Sequence, residues 1–354
     1  MTATSRDPLA AHPSAGQYSA PHPSAERLLH ERLLREHPLR EHPLREHLRD
    51  LDCLDETLAF NRAFERAASS RPARRGPLDP AVLALLRRNR LGGDTPPRRL
   101  PQARDRRLPG GVRVRVLDPG APEGVLLHLH GGGWAFGSAD GQDERLWELA
   151  RRARLAVVSV DYRLAPEHPH PAGPEDCEAA ARWLAEAEFG TRRLLIGGES
   201  AGAHLAVLTL LRLRDGGGPV HAYRAAHLAF GPYDLAMTPS QRDFGDRSLL
   251  SNTRSLEASY AMYSPGTGPG ERRDPALSPL YADLTGLPPA RLVVGTEDPL
   301  LDDSVLLARR WQDAGGTARL DVVAGAMHGF TLYPLTVTTR ERRRESAFLA
   351  AAGR

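Results

Sequence analysis

Short apolar runs alternate with amphipathic stretches from about residue 100 onward. Several runs are apolar at nearly every position, such as VLLHLH at 125–130 and AVVSV at 156–160. Strands that are buried on both faces have this continuous pattern. The predicted strands are 112–117, 125–130, 156–161, 193–197, 227–231, 291–295 and 319–324.

The segments between these runs have helical periodicity. Their predicted helices lie near 141–154, 174–188, 201–214 and 302–314. A regular alternation of strands with helices predicts an α/β fold, in which helices flank a mostly parallel twisted sheet. Residues 232–280 interrupt the alternation, because they are rich in Ser, Pro, Gly and Arg and contain one helix-like run around 254–263.

The N-terminal part differs from the rest of the chain. Residues 1–50 contain a Pro-, Ser- and His-rich stretch and then a five-residue repeat (RLLHE, RLLRE, HPLRE, HPLRE), so we predict a low-complexity, disordered tail. Residues 51–75 follow as a separate segment, with an amphipathic helix predicted at 51–68. The apolar stripe of that helix consists of Leu51, Leu54, Leu58 and Phe64. A further helix is predicted at about 79–90, and the remainder, 76–354, reads as one domain.

Composition and charge exclude several classes of protein. The formal net charge is only +3, and the 47 basic residues are all arginine. Eleven of them lie between residues 71 and 107, where a solvated surface is a simpler interpretation than a nucleic-acid site, since no RNA-binding or zinc-finger motif accompanies them. Two cysteines, Cys53 and Cys177, form neither a disulfide framework nor a metal-ligand spacing. Without a signal-peptide pattern or a run of about 18 apolar residues, we expect a cytoplasmic protein with no stable membrane anchoring.

The sharpest chemical signal is the motif Gly198-Glu199-Ser200-Ala201-Gly202. It follows a predicted strand and precedes a predicted helix, which is the context that a G-x-S-x-G nucleophile turn requires. Glycines on both sides allow a sharp turn that lifts the serine hydroxyl above the edge of the sheet. Ser200 is therefore the candidate nucleophile, and the backbone N–H of Ala201 is a candidate donor to an oxyanion.

A second motif, His130-Gly131-Gly132-Gly133-Trp134, follows the strand predicted at 125–130. Successive glycines let backbone N–H groups approach a ligand closely and stabilise the oxyanion of an acyl-transfer intermediate. A phosphate-binding loop is the alternative, but neither of the usual phosphate-loop patterns is present. We expect His130 to orient this loop by hydrogen bonding rather than to act in catalysis.

A nucleophilic serine needs a base and a group that orients the base. In the chain order of this kind of hydrolytic site, the acid follows the serine and the histidine comes last. Asp298 and His328 each lie just beyond a predicted strand, where open α/β sheets place their sites. His328 has no rival histidine in that order, whereas Glu297, Asp302 and Asp303 are alternatives to Asp298.

Five motifs together resemble the hormone-sensitive lipase family of bacterial carboxylesterases, within the α/β-hydrolase fold. They are HGGGW at 130–134, DYRLAPEHPHPA at 161–172, GESAG at 198–202, DPL at 298–300 and HGF at 328–330. The resemblance covers about residues 75–354, while the N-terminal tail has no counterpart in the family pattern. Glu199 and Ala203 also depart from it, since Asp or Thr and then Gly are usual there.

The resemblance implies further site residues. In the family the second and third glycines of the HGGG run supply oxyanion donors, which correspond to Gly132 and Gly133. A helical lid would be built from residues 51–75 and an insertion at about 232–280. Trp134 is expected to line the substrate pocket, with core packing as the alternative. The charged residues at 161–172 are expected to anchor a stiff, proline-rich loop rather than to touch substrate.

The function that follows is a serine carboxylesterase for small to medium acyl esters. Ser200, Asp298 and His328 would form the triad, and no metal or organic cofactor is required. We expect a small-molecule ester as partner and no nucleic acid, and we allow for a homodimer. Two alternatives stay open: an amidase, deacetylase or lipase with the same site, and a non-catalytic ligand-binding protein on the same scaffold.

Overall fold

The computed structural model describes residues 44–69, 83, 87, 100–186 and 193–352. The predicted tail up to residue 43 and most of the helix predicted at 79–90 lie outside these ranges, although Leu83 and Arg87 are helical. Within the described ranges, every helix is too short or too polar to cross a bilayer.

One sheet organises the described residues. Its strands are β1 Leu48–Arg49, β2 Ala103–Arg107, β3 Arg113–Leu117, β4 Gly124–Leu129, β5 Leu155–Asp161, β6 Arg193–Glu199, β7 Tyr223–Ala229, β8 Ala290–Glu297 and β9 Ala318–Met327. Their spatial order is β1-β9-β8-β7-β6-β4-β5-β3-β2. The pairs β2–β3 and β3–β5 are antiparallel and the other pairs are parallel. The predicted α/β fold with a mostly parallel sheet is therefore confirmed.

Helices cover both faces of the sheet. They are α1 Leu44–His47, α2 Leu54–Ser69, α3 Asp143–Ala153, α4 Ala172–Glu186, α5 Ala201–Asp215, α6 Pro239–Asp243, α7 Thr253–Tyr263, α8 Leu301–Asp313 and α9 Thr336–Ala351. Of these, α5 is apolar almost all round and is buried along nearly its whole length, because it packs between the strands β4, β6 and β7 and helix α4.

The predicted tail boundary at residue 50 is too late. Leu48 and Arg49 pair in parallel with Val322 and Val323 of β9 and so extend the sheet. The side chain of Asp50 is almost fully buried and binds arginines of α9. A two-residue strand inside a Leu-Arg-His repeat has no periodicity of its own, so this pairing leaves no mark in the sequence pattern.

Helix α2 buries its apolar stripe against the end of β9. Thr57 Oγ1 donates a hydrogen bond to the Ala324 carbonyl oxygen over 3.1 Å, and Asn61 Nδ2 donates to the Gly325 carbonyl oxygen over 2.9 Å. Leu54 packs against Ala324 in the same place. The helix thus braces the strand that leads to His328, and its service as a lid stays a prediction.

A buried carboxylate on α8 anchors the start of the insertion predicted at 232–280. Asp303 of α8 accepts hydrogen bonds from the backbone N–H groups of Tyr233 and Asp234 and from the side chains of Thr238 and Gln241. Both carboxylate oxygens are satisfied, so the first turn of α8 fixes where the insertion starts.

Candidate active site

Ser200 lies in a sharp turn between β6 and α5. Its φ of 55° and ψ of −124° are values that residues other than glycine rarely adopt. A Cβ atom on Gly198 would lie 2.2 Å from the Leu129 carbonyl oxygen, and one on Gly202 would lie 1.9 Å from the same atom. The two glycines are therefore required because the end of β4 passes directly against the turn.

The Ser200 hydroxyl, the His328 ring and the Asp298 carboxylate form a hydrogen-bonded line. Ser200 Oγ lies 3.0 Å from His328 Nε2, and His328 Nδ1 lies 3.0 Å from Asp298 Oδ2. Asp298 directly follows β8 and His328 directly follows β9, so both stand at the carboxyl edge of the sheet. A carboxylate that accepts a hydrogen bond from Nδ1–H fixes the tautomer in which Nε2 is unprotonated and can accept the proton of the serine.

The alternative acids have other partners. Glu297 accepts a hydrogen bond from Arg247 Nη1 over 2.6 Å, and Asp302 accepts one from the backbone N–H of Ser240 over 2.8 Å. Asp303 holds the insertion, as described above. Among the residues that the structure describes, no group of three or more His, Cys, Asp and Glu side chains is arranged to hold a metal ion.

The glycine loop after β4 has the geometry of a donor cradle. Gly132 has a φ of 123° and Gly133 a φ of 58°, both in the range that favours glycine. A Cβ atom on Gly132 would lie 2.3 Å from the Phe136 carbonyl oxygen, so a side chain there has no room. Across the described part of the chain, the N–H groups of Gly132, Gly133 and Ala201 have no protein acceptor, which leaves them available to a substrate oxygen.

His130 orients the loop from below. Its Nδ1 lies 2.9 Å from the Gly131 carbonyl oxygen, and its own carbonyl oxygen accepts a hydrogen bond from Tyr162 Oη over 2.7 Å. The two rings stack with centroids 4.3 Å apart. Burial lowers the pKa of His130, which keeps the ring neutral. This arrangement agrees with the expected loop-orienting role.

Trp134 belongs to the core, which corrects its expected place in the substrate pocket. Its side chain is only 2% exposed, and its ring stacks on Tyr263 with centroids 4.4 Å apart. The indole N–H donates to His204 Nδ1 over 3.2 Å. A buried indole prefers such a partner for its N–H, so the packing alternative describes this residue.

The charged residues at 161–172 are bound to separate partners. Arg163 Nε donates to the Asp176 carboxylate over 2.9 Å. Glu167 accepts a bidentate pair of hydrogen bonds from Arg87 over 2.7 and 2.9 Å. Arg87 also donates to carbonyl oxygens at residues 135 and 165, and so links this segment to the end of the glycine loop. These contacts fit the expected anchoring of a stiff loop.

Sequence reasoning missed the polar residues that surround Glu199. His128 of β4, Gln142 just before α3 and Arg145 within α3 all approach its carboxylate. They come from separate elements and match no spacing pattern. The one available signal was His128 itself, a polar residue within an otherwise apolar strand.

The chain is similar to known ester hydrolases in sequence and in fold. A family model described as alpha/beta hydrolase fold matches residues 126–332. Carboxylesterase NlhH of Mycobacterium tuberculosis is 36% identical over 258 residues, which cover 69% of this chain and 80% of that protein. The crystal structure of EstE1, a thermophilic carboxylesterase cloned from a metagenomic library, superposes with a TM-score of 0.69 at 32% identity, covering 77% of this chain and 99% of the other. A hormone-sensitive lipase from a metagenome library superposes with a TM-score of 0.72 at 28% identity, covering 83% and 97%.

Proposed function

We propose that this chain, which belongs to the α/β-hydrolase family whose model matches residues 126–332, is a serine carboxylesterase acting on small to medium acyl esters. Relatives named carboxylesterases and esterases support its description as a carboxylic ester hydrolase. The resemblance to hormone-sensitive lipases inferred from the motifs is likewise confirmed. The Ser–His–Asp line is the observation that carries the mechanism.

In the proposed reaction, Ser200 Oγ attacks the ester carbonyl carbon while His328 Nε2 takes its proton. The 3.0 Å separation of these atoms supports direct transfer. The imidazolium then gives the proton to the leaving alcohol, which leaves an acyl group on Ser200. Water attacks the acyl-enzyme with the same proton transfers and releases the acid. Asp298 keeps the ring in the required tautomer and stabilises its positive charge.

The negative charge on the carbonyl oxygen would be bound by the N–H groups of Gly132, Gly133 and Ala201. The available donors at these three positions support this assignment. Loss of one such donor typically costs about 2.7–4 kcal/mol of transition-state stabilisation. A fixed backbone loop suits this task, because its dipoles need not reorganise during the reaction.

Hydrolysis of p-nitrophenyl esters of graded chain length tests the proposal. We expect turnover of acetate to hexanoate esters, and a fall for long chains that would separate an esterase from a lipase. Parallel anilide substrates test the amidase alternative. A non-catalytic binding protein would hydrolyse none of them. Ser200→Ala should abolish hydrolysis. Ser346→Ala is its matched control, because among the described residues the Ser346 hydroxyl donates within its own helix, to the Arg342 carbonyl oxygen.

A further inference from the structure

The side chain of Glu199 joins the nucleophile turn to the glycine loop. Its Oε1 atom accepts a hydrogen bond from the Gly131 backbone N–H over 3.0 Å. The same oxygen accepts from Gln142 Nε2. A Cβ atom on Gly131 would lie only 2.8 Å from the Glu199 carbonyl oxygen, so the loop rests on the turn at this point. One residue thus contacts the loop with both its backbone and its side chain.

The other carboxylate oxygen faces cationic and polar groups beneath the turn. Glu199 Oε2 lies 3.1 Å from His128 Nε2 and 3.7 Å from Arg145 Nη1. His128 Nδ1 in turn lies 3.1 Å from Ser159 Oγ, so both ring nitrogens have partners. Arg145 Nη2 lies 3.0 Å from the carboxylate of Glu345 on α9. The carboxylate is therefore held from β4, α3 and the glycine loop at once.

A small cavity adjoins this cluster on the side of α9. Its lining includes Leu126, His128, Glu199, His227 and Glu345, and its volume of about 10 Å³ suits roughly one water molecule. His227 Nδ1 lies 3.9 Å from the Glu345 carboxylate. His128, Gln142 and Arg145 therefore contact the Glu199 carboxylate directly, whereas His227 and Glu345 line the adjoining cavity.

The balance of these groups keeps Glu199 ionised. Burial by itself would raise the pKa of this carboxyl, but the His128 ring, the Arg145 guanidinium and the Gln142 hydrogen bond outweigh burial and hold the pKa well below its usual range. A buried anion with this many partners has one stable geometry.

We propose that Glu199 is the positioning residue of the oxyanion loop in the serine hydrolase mechanism proposed above. Its carboxylate accepts a hydrogen bond from the Gly131 N–H and so fixes the loop. The N–H groups of Gly132 and Gly133 then stay free and point at the reacting carbonyl. Because Glu199 is bonded to Ser200 through one peptide, a single residue sets the distance between nucleophile and oxyanion donors. An aspartate here would be one carbon–carbon bond, about 1.5 Å, too short to bridge from the turn to β4 and the loop together.

The test uses the full chain and the variants Glu199→Ala and Glu199→Gln. Glu178→Gln is the matched control, since Glu178 pairs with Arg182 and Arg212 away from the site. Active sites are first counted by fluorophosphonate labelling at Ser200, so that misfolded protein does not enter the rate. We then measure kcat and KM for p-nitrophenyl butyrate, and the affinity for a trifluoromethyl ketone that forms a tetrahedral oxyanion on the serine.

For Glu199→Ala we expect kcat per labelled site to fall on the order of 10- to 100-fold with KM within about threefold. Ketone affinity should fall by a similar factor, because it depends on the same donors. Glu199→Gln keeps an acceptor for the Gly131 N–H, so its kcat per labelled site should lie between those of Glu199→Ala and wild type. This second variant keeps the test decisive if Glu199→Ala folds poorly. The control should match wild type in every measurement.

Two results separate the claims. Unchanged kcat per labelled site and unchanged ketone affinity in both Glu199 variants, with an active wild type, would overturn the positioning role and leave the proposed function intact. A wild type that neither hydrolyses esters nor labels at Ser200 would overturn the proposed function, and this inference with it.

Discussion

Ser200 has an unfavourable backbone conformation, which is maintained by its contacts with neighbouring residues. Non-glycine residues in such sparsely populated regions cost about 1–3 kcal/mol each, and they persist where neighbouring structure over-determines them. Here the Ser200 N–H donates to the Ala229 carbonyl oxygen over 2.8 Å, while Gly198 and Gly202 press against β4. The sequence predicts this turn well, because strand, glycines and helix are neighbours in the chain.

Replacing Gly202 with Ala should disturb the turn more than its small size suggests. The new Cβ atom would meet the Leu129 carbonyl oxygen at 1.9 Å, so β4 or the turn must move. We expect a loss of about 1–3 kcal/mol in the free energy of unfolding and at least a tenfold fall in kcat. Gly270→Ala is the control, since open space surrounds that position. Equal behaviour of the two variants in urea unfolding would contradict the steric argument.

Variants of Asp298 and Asp302 should distinguish a carboxylate that orients the histidine from one that stabilises the fold. Asp298→Asn should lower kcat by up to about 10⁴-fold, because the amide favours the wrong histidine tautomer. Asp302→Asn should mainly lower the melting temperature, because that carboxylate holds the Ser240 backbone N–H. Rates on p-nitrophenyl butyrate beside thermal melts decide between them. An inactive Asp302→Asn beside a fully active Asp298→Asn would show that the acid has been assigned to the wrong residue.

Among the elements, the insertion and helix α2 meet at Arg247. Its guanidinium donates to Glu65 of α2 over 2.9 Å and to Glu297 at the end of β8 over 2.6 Å, and it stacks over the Phe244 ring. Glu297 directly precedes Asp298. One arginine thus ties the two segments predicted to form the lid to the strand that carries the candidate acid.

Arg247→Met keeps much of the apolar contact and removes both ion pairs. Since Glu297 is buried and loses a charged partner, we expect stability to fall by about 1–3 kcal/mol. If α2 and the insertion at 232–280 line the part of the site that binds the acyl chain, KM should rise more for hexanoate than for acetate esters. Arg254→Met is the control, because its pair with Asp246 is exposed on both sides and is worth little. A uniform change in KM across chain lengths would argue against a contact of these segments with the acyl chain.

The elements that the sequence predicts correctly are those whose own apolar residues form a continuous run or a regular repeat. The strand at β4 and the helix at α5 are apolar in unbroken or periodic runs. Strand β2 was missed because its sequence, ARDRR, is charged and mostly exposed. Helix α9 was missed because its first two turns, TVTTRERR, combine β-branched with charged residues, and its burial depends on partners far away in the chain.

At the scale of the whole molecule, a buried charge network crosses one face of the sheet. Arg291 of β8 donates to Glu341 of α9 over 2.6 and 2.8 Å and to Asp321 of β9 over 2.9 Å. Asp321 also binds Arg49 of β1 over 2.7 Å. These contacts join residues up to 272 positions apart, as counted from 49 to 321. No spacing pattern marks such pairs, so sequence analysis could not predict them.

Because of this network, the free energy of unfolding should decrease as the pH becomes acidic. Burial alone would raise the pKa of Glu341, but Arg291 and His227 outweigh burial and lower the pKa to about 2. A carboxyl whose folded pKa lies below its unfolded value stabilises the fold fully above about pH 4.5 and loses that contribution as the pH falls toward 2. Urea unfolding between pH 6 and 3 should show this loss, and Glu341→Gln should reduce it. An unchanged pH slope in that variant would contradict the assignment, with the exposed Glu144→Gln as control.

The central claim is that Ser200 is a nucleophile activated by His328. The most direct measurement is mass spectrometry of the intact chain and of its peptides after brief treatment with a fluorophosphonate, together with butyrate ester hydrolysis on the same sample. We predict one adduct on the Ser200 peptide of the wild type, a matching loss of hydrolysis, and neither adduct nor activity in Ser200→Ala. His328→Ala should label far more slowly, since the hydroxyl has lost its base. Adduct formation on another serine, or Ser200→Ala with more than about a tenth of wild-type activity, would contradict the account.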